Sequence, residues 1–228
     1  MDTNRRQFLE RLGATTAALA VLPAPVGAFA HALGASSVAG GEPNAQWDTT
    51  WVRRLTGKYR ALFDVPEVES GYGVWRATIW AKQYADVLKA PAREMSSAVV
   101  LRHNAIVLAM QQSFWDKYDI GKAKAVTHPL TLKPTDRNPV LLDETSGIPA
   151  PFSRAGVHKQ LARGVVVLAC NLALQDCVEQ IKAKDGLDQE AAHKAAVAQL
   201  IPGVILQPSG VFAAILAQES GCSYVRSS

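Results

Sequence analysis

The chain has 228 residues, 48% apolar and 19% charged, with 24 Lys and Arg against 20 Asp and Glu for a net charge of +4. That length suits one ordinary globular domain and is too short for two large ones. The small basic excess, with no Lys/Arg run longer than two, argues against a protein that neutralises many phosphates of a nucleic acid. The apolar content argues against disorder, and three cysteines do not make a disulfide-stapled miniprotein.

Residues 1–30 read as an export address. Asn4-Arg5-Arg6-Gln7-Phe8-Leu9 is a twin-arginine pattern, and an uncharged, Ala-rich run follows from Leu12 to Val26. Ala28-Phe29-Ala30, or Ala30-His31-Ala32, supplies a small-x-small cleavage site. A membrane anchor would need a longer run, and Pro23 and Pro25 interrupt this one. The expectation is a Tat signal peptide over 1–30, a flexible lead-in over 31–46 and a single domain over 47–228. The protein would be periplasmic, exported by the twin-arginine pathway, with no stable membrane anchor after processing.

Arg60 to Val65 is the first predicted strand, stopped by Pro66. Tyr72 to Leu88 is a helix, with Val74, Ala77, Thr78, Ala81, Ala85 and Leu88 on one face. Ser97 to Leu101 is a second strand, and a helix is predicted from about Ala105 to Tyr118. Residues 121–152, rich in Pro and Gly and without a period, read as a long loop of the kind that is often functional. A short helix spans Val157 to Arg163. Val165 to Ala169 is then the strongest strand, continuous and fully apolar, as suits the middle of a parallel sheet. Helices over Leu172–Lys184 and Asp188–Leu200, a strand over Val204–Leu206, a helix over Gly210–Glu219 and an edge strand over Ser223–Val225 complete the chain. The alternation predicts an α/β fold, a three-layer α/β/α sandwich around a mostly parallel sheet. No dinucleotide fingerprint, phosphate loop or other cofactor motif is present.

In open parallel sheets, ligands bind beyond the carboxyl ends of the strands. Those ends carry Asp64, Arg102-His103-Asn104, Cys170-Asn171 and Gln207-Pro208-Ser209-Gly210. Cys170 sits where a strand turns into a helix, with Asn171 expected as the N-cap. Unpaired backbone N–H groups and the helix dipole there favour thiolate. It equally fits an inert, packed cysteine. Arg102 suits an anion clamp or an ion pair with Asp64; His103 suits acid–base work or a loop hydrogen bond. Cys177, two helical turns from Cys170, is beyond disulfide reach of it and is expected in the core. Cys177–Cys222 and Cys170–Cys222 both remain open as disulfides in an oxidising compartment. His193 is expected to face solvent. The histidines form no metal-ligand spacing, so no metal site is expected. Phe114-Trp115-Asp116-Lys117-Tyr118 is expected to anchor core and rim rather than to stack a ligand.

Val165-Val166-Val167-Leu168-Ala169-Cys170, then Leu200-Ile201-Pro202-Gly203-Val204, Pro208-Ser209-Gly210-Val211, Gln218, Gly221 and Tyr224-Val225-Arg226 resemble the DsrE/DsrF family, including its exported, Tat-signal-bearing members. Leu101-Arg102-His103-Asn104 and Trp115-Asp116-Lys117-Tyr118 share that resemblance, which spans about residues 55–226. It implies a three-layer α/β/α domain, a homo-oligomer, and a cysteine persulfide relay with Cys170 as the sulfur-accepting residue. It also implies a sulfur donor or acceptor protein as partner. Arg102, His103, Asn104, Asp64, Asn171 and Ser209 are the expected binding residues, for such a partner or for a small anionic ligand. The competing reading is a non-catalytic oligomeric module of the periplasm that binds a small ligand or partner on the same rim, without nucleic acid.

Overall fold

Runs of β-branched and other apolar residues, alternating with helical segments, build the domain. The computed structural model describes residues 47–150 and 152–227. The signal peptide and lead-in expected over 1–46 lie outside the described residues. The strands are β1 (Tyr59–Val65), β2 (Met95–Leu101), β3 (Val166–Cys170), β4 (Ile205–Gln207) and β5 (Ser223–Arg226). The helices are α1 (Tyr72–Leu88), α2 (Gln112–Lys117), α3 (Ile120–Ala123), α4 (Val157–Ala162), α5 (Asn171–Asp185), α6 (Gln189–Ala198) and α7 (Gly210–Glu219), with several 3₁₀ turns between them.

The strands form one sheet in the order β4-β3-β2-β1-β5, and every pairing is parallel. Strand alternation sorts the side chains to two faces. Phe63, Val65, Val99, Leu101, Val167 and Ala169 pack with α1, α2, α5 and α6 in the larger core. Leu62, Ala98, Val100, Val166 and Leu168 face α7 and Trp51 in the smaller one. The three-layer α/β/α sandwich expected from the sequence is therefore the observed fold. The central strand β3 is buried at every position, as its unbroken apolar run requires.

One element differs clearly from the sequence expectation. The helix predicted over Ala105–Tyr118 is a 3₁₀ segment, His103–Ala109, followed by extended backbone at Met110 and Gln111 and then α2. Every residue from Ala105 to Met110 is buried. A stretch apolar on all sides has no polar face to define a helical period, and tertiary packing decides its path. Within α2, Phe114 and Trp115 are core. Trp115 Nε1 donates to the Val107 carbonyl at 2.7 Å, and the Tyr118 hydroxyl at the helix end donates to Asp185 Oδ2 at 2.7 Å. This is the core-and-rim anchor expected.

The three cysteines are free. Cys177 belongs to the α5 side of the sheet and Cys222 to the α7 side, so the sheet itself separates them and no Cys177–Cys222 bridge forms. Cys170–Cys222 is likewise absent. Burial pushes the Cys177 thiol up to about 12 and raises that of Cys222 as well.

Candidate functional site

Val65, Leu101, Ala169 and Leu206 lie side by side in register, so the next residues, Pro66, Arg102, Cys170 and Gln207, form the carboxyl rim of the sheet. The chain leaves β3 for α5 on one face and β4 for α7 on the other. Adjacent strands whose connections diverge to opposite faces open a crevice, the topological switch point where ligands of such sheets bind. Cys170 and Gln207 are register partners at that point.

Cys170 itself, not Asn171, is the N-cap of α5. Its Sγ accepts the Ala173 N–H at 3.4 Å, and Asn171 is the first helical residue. A strand-end residue with extended backbone has its side chain beside the first turn's unpaired N–H groups, and that geometry gives the sulfur the capping place. The sulfur thus faces a backbone N–H donor at the positive end of the helix. The residue is 5% exposed. Asn171 Oδ1 lies 2.8 Å from Nε2 of His193 on α6. His193 is thus half-buried against the start of α5, where a solvent-facing position was expected. Its surroundings come from the packing of α6 on α5, which its own polar neighbours in sequence do not reveal.

Arg102 is turned away from any open clamp. Its Nε and Nη2 donate to Asp64 Oδ1 and Oδ2 at 2.6 and 2.7 Å, a bidentate pair. The Tyr224 hydroxyl donates to Asp64 Oδ2 at 2.6 Å. Asp64 is 2% exposed. Burial pushes its carboxyl up, but the bonds from Arg102 and Tyr224 and the charges of Arg102 and Arg226 outweigh that and hold it below the usual carboxylate range. Their own bonds to Asp64 raise the Arg102 guanidinium and the Tyr224 hydroxyl. Of the two roles open to Arg102, the structure shows the ion pair. Tyr224 is the partner that sequence reasoning missed; its only signal was parallel pairing of β5 beside β1.

Further side chains complete the rim. His103, at φ +52°, lies with Nδ1 3.3 Å from Glu67 Oε1, and Asn104 Nδ2 donates to Glu67 Oε2 at 2.8 Å. Lys124 Nζ donates to Asn104 Oδ1 at 3.2 Å. Ser209 caps α7, accepting the Phe212 N–H at 3.0 Å. Gly210 follows, so close to Arg102 that a Cβ there would lie 2.6 Å from the Arg102 Cβ. Gln207 is fully buried, and its Nε2 donates to the Asp48 and Leu206 carbonyls at 2.7 and 2.9 Å. The residues named from sequence therefore share one rim but divide into three groups, with Asn171 and Ser209 engaged in helix-start contacts outside them. The groups are the thiol at the switch point, the Asp64–Arg102–Tyr224 cluster, and the Glu67–His103–Asn104 cluster.

Among the described residues, no cluster of three His, Cys, Asp or Glu is placed to hold a metal, and no helix is long and apolar enough to cross a membrane. No family model matches the chain, and no curated protein matches it. Among solved structures, it is similar to a protein of unknown function from Methanobacterium thermoautotrophicum, with 16% identity over 74% of this chain and 98% of that one and a TM-score of 0.39.

Proposed function

We propose that this chain is an exported, DsrE-like sulfur carrier of the periplasm, delivered by the twin-arginine pathway, in which Cys170 holds sulfane sulfur as a persulfide. The observation that carries the reading is the Cys170 sulfur accepting the Ala173 N–H at the start of α5, at the switch point of the sheet. In the proposed step the Cys170 thiolate attacks the outer sulfur of a donor persulfide, R–S–SH. One S–S bond forms and one breaks, the proton stays on the transferred sulfur, the donor leaves as the thiolate R–S⁻, and no oxidant is consumed. The Ala173 N–H and the positive end of α5 stabilise the attacking thiolate. The Asp64–Arg102–Tyr224 cluster is a fixed wall of the rim in this scheme rather than a clamp.

The test is mass spectrometry of the purified protein after exposure to a small-molecule persulfide. The parent gains one sulfur (about 32 Da) on Cys170, a gain that a reductant reverses. Cys170→Ser gains none. An unmodified Cys170 under conditions that load a free thiol refutes the carrier.

A second reading, a non-catalytic homo-oligomeric binding module, draws on α7. Val211, Phe212 and Ile215 are 62%, 41% and 51% exposed on a helix that carries no charge before Glu219. Its distinguishing result is oligomerisation and ligand or partner binding that survive Cys170→Ser while the sulfur test fails.

A further inference from the structure

The excursion from α3 to Asn138 contains a tight hairpin that no part of the thiol chemistry uses. Thr127 and Pro134 form its antiparallel bridge, and His128 N donates to the Lys133 carbonyl at 2.8 Å. The tip between them is built rather than slack. His128 Nδ1 accepts the N–H groups of Leu130 and Thr131 at 3.3 and 3.2 Å, and Leu132 N donates to the His128 carbonyl at 2.9 Å. The base is tied to the start of α1: the Tyr72 hydroxyl donates to the Pro129 carbonyl, and Ser70 Oγ lies 2.7 Å from Thr127 Oγ1.

This scaffold holds two leucines out in solvent. Leu130 is 40% exposed and Leu132 is 67% exposed. Leu132 has φ +59°, a left-handed backbone that a leucine adopts only under strain. A leucine held under strain, pointing into water and gaining no burial, has no value to the fold. The surrounding charge is one-sided: residues 120–138 carry Lys122, Lys124, Lys133 and Arg137 against Asp136 alone. Lys122, Lys133 and Arg137 are exposed. At the base of the hairpin a mostly apolar cleft of about 300 Å³ opens, with Lys122, Thr135 and Asp136 in its wall.

We propose that this hairpin docks the protein reversibly on an anionic lipid surface, Leu130 and Leu132 entering the headgroup–acyl boundary while Lys122, Lys133 and Arg137 meet the negative headgroups. Two apolar side chains with a few cations make a reversible contact rather than an anchor. The fixed tip removes the ordering cost that a flexible loop would meet on binding. The excess of exposed basic over acidic residues in this segment selects an anionic lipid surface over an apolar pocket on a protein.

The experiment is flotation of the full chain with vesicles of mixed phosphatidylglycerol and phosphatidylethanolamine, and with neutral phosphatidylcholine vesicles. Parent and variants share the same N-terminal segment. The expected result is binding to the anionic vesicles that falls about tenfold in Leu132→Asn, where Asn keeps the left-handed backbone and the melting temperature reports an intact fold. Lys122→Gln and Lys133→Gln should each lower it about fivefold, and salt should lower it further. A fluorophore placed on Leu130→Cys in the Cys170→Ser chain should shift to the blue on anionic vesicles. An emission unmoved by vesicles, or equal flotation of parent and Leu132→Asn, overturns the proposal. Capture of a protein partner by the tip with no vesicle binding overturns it as well.

Discussion

Arg102→Met tests the strongest electrostatic feature of the rim. The substitution keeps most of the side-chain stem and removes the guanidinium, leaving Asp64 2% exposed with the Tyr224 hydroxyl as its remaining side-chain donor. Breaking a fully buried pair by removing one partner costs about 3–5 kcal/mol, because a charge is left uncompensated in low dielectric. The Arg102 side chain is 32% exposed, so the lower end, about 3 kcal/mol at neutral pH, is the expected loss. For a domain of this size that corresponds to a fall in Tm of about 6–12 °C. The pH dependence has a definite sign. In the parent the Asp64 pKa is depressed by folding, so its contribution is full above the ordinary carboxylate range and is lost as pH falls through the lowered value. In Arg102→Met, burial dominates and raises the Asp64 pKa, so the variant sheds its penalty as pH falls from neutral. Both effects narrow the gap between parent and variant toward acid. Urea denaturation of the two proteins at a series of pH values measures it. A loss below about 1 kcal/mol at neutral pH, the size of a surface ion pair, or a gap that widens toward acid, refutes the reasoning.

Two further outcomes follow from packing and burial. Gly73→Ala would put a Cβ 2.4 Å from the Ser227 carbonyl oxygen and 2.5 Å from a Val65 methyl, so α1 must shift from β1; thermal denaturation should register a loss of about 1–3 kcal/mol. Alkylation with iodoacetamide followed by peptide mapping should modify Cys170 first in the folded protein. Cys177, its thiol pushed up to about 12, and Cys222, raised by burial, should react only once denaturant is added. Modification of Cys177 as early as Cys170 would contradict that order.

Local pattern was enough for most of the architecture. A fully apolar, β-branched run marks β3, and α1 carries its apolar residues at three- and four-residue steps and begins and ends at the expected residues. Cys177 was legible as core because it shares the buried face of α5 with Leu174, Val178 and Ile181. The path of residues 105–110 was not legible, since a stretch buried on all sides carries no period to read. In the site, the rim residues were found from strand ends, but their division into groups was hidden. Whether Arg102 meets a ligand or Asp64 depends on where Tyr224 returns, and that residue is 160 positions from Asp64.

The sequence by itself therefore determined the elements, the parallel α/β layering and the position of a cysteine at a strand-to-helix junction, because each follows from the periodicity of neighbouring residues. Only the tertiary structure decided which strand lies beside which, that α7 crosses back on the opposite face from α5, and so that Cys170 stands at the switch point while Arg102 is held by Asp64. The physical reason is range. Hydrophobic period and capping act within a few residues, whereas crossover, register and burial of a charge pair are settled by segments brought together from distant parts of the chain.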